Sequence, residues 1–174
     1  MKTNTGKIIT VASVAALYAV LTYVSVACGL AYGGIQFRIS EALMILALFS
    51  GEAVWGLALG CVIGNLASPF AAADIFFGTM ATVLAALAIR FVASRIKFAP
   101  WQCALTALFT AFFNSVIVSA ELVLFADLAK GLFWITALQI GAGELAVCLL
   151  LCYPLHRIIT KNKILNNFFV TKRS

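Results

Sequence analysis

The sequence predicts an all-α integral membrane protein with six transmembrane helices and both termini in the cytoplasm. Of its 174 residues, 64% are hydrophobic and 10% are charged, and the mean hydropathy is +1.09. Soluble domains are about half apolar and about a quarter charged, so the composition excludes a soluble domain. No linker, low-complexity tract or clear repeat divides the chain, and we expect one transmembrane domain over residues 1–174.

Six apolar stretches are long enough, or nearly so, to cross a bilayer, which takes about 20 residues of helix. The first follows Lys2 and Lys7. Its apolar run exceeds a signal-peptide core and no A-x-A cleavage site follows, so we interpret it as a span. Residues 39–66 could form one long helix, a tight hairpin of two short helices, or a re-entrant element. The predicted spans are about 8–28, 37–50, 53–67, 75–93, 101–125 and 132–153, with a basic cytoplasmic tail over 154–174.

Local signals mark the later boundaries. Ser68-Pro69 ends the third span, and Arg95 and Lys97 follow the fourth. Pro100 suits the first turn of the fifth helix, because that position needs no backbone N–H. Asp127 and Lys130 mark a short turn, and Pro154 is predicted to end the sixth span.

Charge distribution resolves the number of spans. With six spans, ten of the twelve Lys and Arg residues share one side, and only Arg38 and Lys130 lie opposite. With five spans, the basic N-terminus and the basic tail would face opposite sides. The positive-inside rule therefore favours six spans. The pI near 9.3 is a topology signal and does not indicate nucleic-acid binding.

Enzyme motifs are absent from the sequence. It contains no G-x-x-x-x-G-K-[ST], H-E-x-x-H or G-x-S-x-G pattern, and a single histidine, His156. The five cysteines lie in apolar runs without metal-ligand spacing, so we interpret them as small buried hydrophobes. We expect no catalytic residue, cofactor or metal. Energy for any uptake must come from partners or from an ion gradient.

Polar residues inside the predicted spans are the candidate site. Ionisable groups at membrane depth are expensive and usually face a cavity, a partner or a substrate. On the six-span topology most of them converge on the outer half, which predicts an outward-facing pocket with the glycine-rich loop 29–34 as its lid. The candidate substrate-binding residues are Gln36, Arg38, Glu41, Asn65, Asp74, Asn114, Glu121, Trp134 and Glu144.

Structural explanations compete with binding at several of these positions. Arg38 and Glu41 lie three residues apart on a helix and could simply pair with each other. Asp74 could be a helix N-cap, and Trp134 could be an interfacial aromatic residue. Glu121 and Glu144 have no local partner in the sequence.

Small residues at four-residue spacing allow helices to approach closely in lipid. The third span carries Gly56, Gly60 and Gly64, a stripe that we expect to pack inside the bundle. The first span carries two pairs of alanines, at positions 12 and 16 and at positions 15 and 19. These alanines could pack inside the bundle or dock a separate membrane protein.

Four segments carry a family resemblance. Residues 34–42 read GIQFRISEA, residues 64–69 read GNLASP, residues 74–79 read DIFFGT, and Gly143 precedes Glu144. In this order they resemble the queuosine-precursor transporter (QueT) family over about residues 8–155. Members of that family are substrate-binding S-components of energy-coupling factor (ECF) transporters.

The resemblance implies an S-component-like bundle of six helices that captures a vitamin-like substrate outside the cell. It implies a transmembrane coupling protein and two ATPase subunits as partners, and toppling of the S-component to release substrate inside. Ala12, Ala16 and Ala19 match the docking surface for the coupling protein. The expected substrate is a 7-deazaguanine such as preQ1, preQ0 or queuine, and the location is the bacterial plasma membrane.

The chemistry of these ligands suits the acidic residues. A guanine-like edge offers N1–H and a 2-amino group, and one carboxylate can accept both. We assign Glu41 or Glu121 to this edge and Asp74 or Glu144 to the cationic amine of preQ1 or queuine; preQ0 carries a neutral nitrile instead. The alternatives are an S-component for riboflavin or thiamine, a stand-alone proton-coupled carrier, and a non-transport membrane subunit.

Overall fold

The computed structural model describes residues 3–31, 35–125 and 128–169, and these parts of the chain are helical apart from short connections. Residues 32–34 of the predicted lid and Asp127 of the predicted turn lie outside the described residues. The helices are α1 (Asn4–Ala27), a central 3-10 helix (Ile39–Leu48, "the central helix"), α2 (Gly51–Asn65), α3 (Ala71–Arg95), α4 (Ala99–Phe125), a 3-10 turn (Lys130–Leu132), α5 (Phe133–Lys161) and α6 (Lys163–Phe169). The all-helical prediction is confirmed for the described residues.

Four segments of the described chain are helical, long and apolar enough to cross a membrane: Asn4–Ala27, Ala71–Arg95, Ala99–Phe125 and Lys130–Lys161. The central helix and α2 are shorter, with 10 and 15 residues. At rises of about 2.0 Å and 1.5 Å per residue, each is about 20 Å long, against a hydrocarbon core of about 30 Å. Residues 39–66 thus form two short helices, and the count of six spans stays a prediction.

The central helix is the core of the bundle. Its residues from Ser40 to Leu48 are all buried, because α1 to α5 surround it. A helix that is buried on every side needs no polar face, which explains its uninterrupted apolar run after Glu41. Arg90 of α3 donates to the carbonyls of Ala47 at 3.4 Å and Leu48 at 3.2 Å, and so satisfies the C-terminal end of this helix.

The glycine stripe of α2 packs against α1. A Cβ atom added at Gly56 would lie 2.6 Å from Val14 Cβ, and one added at Gly60 would lie 2.6 Å from Tyr18 Cβ. Real Cβ atoms do not approach so closely, so α1 and α2 can meet here only because these positions are glycine. This confirms the prediction that the stripe packs inside the bundle.

The described ends of the chain meet at one end of the bundle. The start of α1 and the helix α6 line one surface cavity, formed by Thr3, Gly6, Ile9, Thr10, Asn167 and Phe168. Pro154 does not end the helix, since α5 continues through it to Lys161, and the end of the sixth span stays a prediction. Proline removes one backbone hydrogen bond from a helix, and the helix tolerates that loss here.

Candidate functional site

Polar side chains on one face of α1 hold the start of the central helix. Tyr18, Thr22 and Ser25 are spaced by four and three residues, which places them on one face. Three hydrogen bonds cross to the central helix: Tyr18 Oη to Glu41 Oε1, Thr22 Oγ1 to Ser40 Oγ at 2.9 Å, and the Ile39 backbone N–H to Ser25 Oγ at 3.0 Å. The orientation of Glu41 is therefore set by α1.

Arg38 and Glu41 form a buried pair with unused bonding capacity. Arg38 is 5% exposed and Glu41 is 1% exposed. Arg38 Nε lies 3.9 Å from Glu41 Oε1, and Arg38 Nη2 donates to Asn65 Oδ1 at 2.9 Å. Arg38 Nε and Glu41 Oε2 have no hydrogen-bond partner, although both atoms are buried. The predicted ion pair therefore exists, but it leaves one buried donor of Arg38 and one buried acceptor of Glu41 unsatisfied.

Asn65 connects this pair to α3. Its Nδ2 donates to the backbone carbonyl of Asp74 at 2.8 Å. Gly78, one turn further along α3, makes room for the amide, because a Cβ there would lie 2.7 Å from Asn65 Nδ2. The end of α2, the start of α3 and the start of the central helix are thus joined by one side chain.

Glu144 reaches the same cluster from α5. Asn114 Nδ2 of α4 donates to Glu144 Oε2 at 2.9 Å, and both side chains are buried. Glu144 lies 11 residues after the first residue of α5, which puts it about 16 Å into the helix. Cys148, one turn further along α5, donates from its Sγ to the backbone carbonyl of Glu41 at 3.6 Å. The cluster therefore continues from the central helix to α5.

Gly143 brings the segment before the central helix against α5. A Cβ at Gly143 would lie 2.2 Å from the backbone oxygen of Gln36 and 3.0 Å from Ile35 Cγ2. Only glycine allows this approach, since the opposing atoms include backbone. Gln36 is buried at this contact, which involves the residue that precedes Glu144 in α5.

Two further acidic side chains lie where the start of α3 packs against the end of α4. Asp74 is in the first turn of α3, and Ser68 Oγ donates to its Oδ2. Glu121, near the end of α4, is 1% exposed, and neither of its carboxylate oxygens has a hydrogen-bond partner. Phe125, one turn after Glu121, contacts Phe77, about one turn after Asp74, with ring centroids 5.5 Å apart. The N-cap of α3 is Phe70, so Asp74 does not cap this helix.

Eight of the nine predicted substrate-binding residues are buried or half-buried around this network. They are Gln36, Arg38, Glu41, Asn65, Asp74, Asn114, Glu121 and Glu144. Trp134 is not brought to it, since its side chain is 71% exposed and packs edge-on against Phe133 with ring centroids 4.9 Å apart. This position fits the interfacial aromatic residue that the sequence also suggested.

Tyr18 and Ser68 were missed as members of the network. Tyr18 had a sequence signal, because a tyrosine in the middle of an apolar span needs a hydrogen-bond partner for its hydroxyl. The spacing of Tyr18, Thr22 and Ser25 also marks one polar face on an otherwise apolar helix. Ser68 had no such signal, since a serine before a proline is common at helix ends.

An apolar groove of about 640 Å³ opens beside Asp74. It is lined by Pro69, Phe70, Ala71, Ala72, Ala73, Phe76, Phe77 and Phe125. The rings of Phe77 and Phe125 lie 5.5 Å apart and join the start of α3 to the end of α4. Aromatic surface and carboxylates therefore meet at this end of the bundle.

Comparison with known proteins gives one family and one curated relative. Residues 8–161 match the family model described as QueT transporter. The "Queuosine precursor transporter QueT" of Lactococcus lactis subsp. cremoris (strain MG1363) is 39% identical over 83 residues. That alignment covers 48% of this chain and 48% of the relative, so the chain spans about half the length of the relative it matches. No solved structure matches the chain.

Proposed function

Because the chain belongs to the QueT transporter family, we propose that it is the substrate-binding S-component of an ECF importer and captures a 7-deazaguanine at the outer face of the membrane. The chain is a multi-pass bacterial membrane protein. In this proposal a transmembrane coupling protein and two ATPase subunits drive uptake, since the sequence carries no nucleotide-hydrolysis motif of the P-loop type.

The unsatisfied pair formed by Arg38 and Glu41 is the observation that supports the ligand class. Arg38 Nε is a buried donor and Glu41 Oε2 is a buried acceptor, and neither has a partner. Buried polar atoms without partners are unfavourable by about 1–3 kcal/mol each. A ligand edge with an acceptor next to a donor would satisfy both. The guanine edge has this order, with O6 next to N1–H and the 2-amino group.

The same pair favours a guanine edge over a flavin edge. The imide edge of a flavin presents one N–H between two carbonyl oxygens, so a carboxylate gains one hydrogen bond and faces a second acceptor. The guanine edge presents two neighbouring donors, which a carboxylate accepts in a charge-assisted arrangement. In the proposed complex Glu41 accepts from this edge, Arg38 donates to O6, and Glu144 lies alongside with Asn114 holding one oxygen.

The proposed docking face for the coupling protein is the outer side of α1. Ala12 and Ala16 are exposed there. Ala19, which the resemblance also assigned to docking, is 6% exposed and buried within the bundle. Ala19, like its neighbour Tyr18, is on the buried side of α1, so it does not belong to the proposed face. Small residues at the two exposed positions allow a partner helix to approach closely.

Calorimetric binding to the purified protein in detergent tests the ligand assignment. The ligands are preQ1, preQ0, queuine, guanine and riboflavin. We expect deazaguanine binding by the wild-type protein and at least about a 100-fold loss of affinity in Glu41→Gln, because the substitution removes a charged acceptor from a buried site.

The matched control is Glu52→Gln. Glu52 lies in the first turn of α2, at the opposite end of that helix from Asn65, and lines a surface cavity with Lys7. The control should bind deazaguanines as the wild type does. Riboflavin binding, or no deazaguanine binding by protein shown to be folded, would overturn the assignment.

A further inference from the structure

If Arg38 and Glu41 bind the guanine edge, as proposed, Asp74 and Glu121 have no role in binding that edge. Asp74 accepts from the neutral hydroxyl of Ser68, and Asn65 contacts its backbone carbonyl and not its carboxylate. Glu121 is 1% exposed, and both of its oxygens lack a partner. Packing therefore explains neither the presence of two carboxylates here nor the burial of one of them.

Acidic side chains outnumber basic side chains at the site. The site holds four acidic side chains, from Glu41, Asp74, Glu121 and Glu144, and one guanidinium, from Arg38. Among the described residues, Arg38 is paired with Glu41, and Glu121 forms no ion pair. Buried charges are retained in proteins when they are paired or bind a ligand of opposite charge. The part of the site that the structure describes therefore lacks a cation paired with Glu121.

The positions of Glu121 and Asp74 near one end of the bundle suit contact with a ligand better than contact with lipid. Glu121 lies four residues before the end of α4, about 6 Å from that end. Asp74 lies in the first turn of α3, beside the groove lined by Phe77 and Phe125, whose ring contact joins the start of α3 to the end of α4. A planar ring whose guanine edge is bound by Arg38 and Glu41 can carry a short substituent toward the start of α3, because Asn65 accepts from Arg38 and donates to the Asp74 carbonyl.

We propose that Asp74 and Glu121 form an ammonium subsite, which binds a cationic amine carried by the 7-substituent of the deazaguanine. This inference rests on the proposed function and makes it more specific. An ammonium offers three donors, enough to satisfy both oxygens of Glu121 and to contact Asp74. The subsite therefore selects an amine-bearing deazaguanine over one that ends in a neutral nitrile.

The test compares the affinities of preQ1, which carries the amine, and preQ0, which carries the nitrile. The proteins are the wild type, Glu121→Gln, Asp74→Asn and the control Glu52→Gln, each checked for folding by its thermal transition. We expect the wild type and the control to prefer preQ1. In Glu121→Gln and Asp74→Asn the preQ1-to-preQ0 affinity ratio should fall about 10-fold or more, while preQ0 affinity stays nearly unchanged.

Two variants protect the test against a folding defect. Gln keeps the size of Glu121, and Asn keeps an oxygen that can accept from Ser68 at position 74. Equal wild-type affinities for the two ligands, or an unchanged ratio in folded Glu121→Gln, would overturn the subsite while the proposed function survives. Failure of the wild type to bind either ligand would overturn both.

Discussion

At the scale of single residues, the Tyr18 hydroxyl decides which oxygen of Glu41 remains available. It donates to Oε1 and leaves Oε2 without a partner. Thr22 and Ser25 contact Ser40 and Ile39, the two residues before Glu41. Glu41 is therefore held both through its own side chain and through the backbone that precedes it. Tyr18 is therefore a positioning residue, since it acts through Glu41.

Tyr18→Phe should lower deazaguanine affinity about 10-fold, because a hydrogen bond to a charged group contributes about 1.5–3 kcal/mol. The loss arises because Glu41 is no longer held in one orientation. Calorimetric titration with preQ1 and with preQ0 measures it. Both ligands should weaken by the same factor, since Glu41 contacts the edge that they share.

Tyr23→Phe is the matched control on the same helix. The Tyr23 hydroxyl donates to the Ile63 carbonyl at 2.9 Å on the exposed side of α1. This control should bind as the wild type does. If the two variants have equal affinities, Tyr18 does not position Glu41.

At the scale of secondary-structure elements, α4 and α5 pack as an antiparallel pair whose close approaches place Glu144. Asn114 contacts Glu144, and a Cβ at Gly141 would lie 3.3 Å from Ser115 Cβ, an approach that a small adjustment can relieve. At Gly143 the opposing atom is the Gln36 backbone oxygen, at 2.2 Å. The segment before the central helix depends on this glycine.

Gly143→Ala should displace residues 35–38 from α5 and reduce deazaguanine affinity at least about 10-fold, because Arg38 moves with that segment. Gly141→Ala is its control on the same helix. Both substitutions raise helix propensity by about 1 kcal/mol, so the difference between them isolates the steric contact.

Ligand titration and thermal unfolding in detergent measure the two effects. We expect Gly141→Ala to keep its affinity and to lose little stability. Wild-type affinity in Gly143→Ala would show that the approach of Gln36 to α5 is not needed for binding.

At the scale of the whole molecule, large apolar side chains cover much of the outward surface of the helices, whereas one face of α1 carries small exposed residues. Leu138 of α5 is 74% exposed, as expected for a lipid contact. On α1, Ala12 and Ala16 are also exposed but small. The inner side of the same helix carries Tyr18, so α1 lies between the proposed docking face and the candidate site.

Ala16→Trp should abolish preQ1 uptake by cells that also contain an ECF coupling module, while ligand binding to the purified protein stays unchanged. The bulky ring blocks the approach of a partner helix and does not reach the site. Leu138→Trp is the control, since it places the same ring on an exposed face of α5.

Uptake assays with and without the coupling module complete this test. The chain alone should not accumulate ligand. Uptake by the chain alone that an uncoupler dissipates would indicate a proton-coupled carrier instead, and wild-type uptake in Ala16→Trp would remove α1 as the docking face.

Much of the fold and site followed from the sequence for physical reasons. Long apolar stretches must be helical in lipid, because every backbone polar group needs a partner there. Rare acidic residues in such stretches are costly, so Glu41, Glu121 and Glu144 could be identified as candidates from their positions alone. The family resemblance rests on short motifs that surround several of these residues.

Tertiary contacts decided what the sequence left open. The sequence could not distinguish one long helix from two short ones over residues 39–66, because the apolar content is the same in both. In the structure, the burial of the central helix on every side and the hydrogen bond from Arg90 to the Leu48 carbonyl favour a separate central helix. It could not pair the carboxylates with their neighbours, because residues such as Tyr18 and Glu41 lie far apart in the chain. Composition and hydropathy thus determined the class of protein, and only packing determined which buried polar atoms are satisfied and which remain for a ligand.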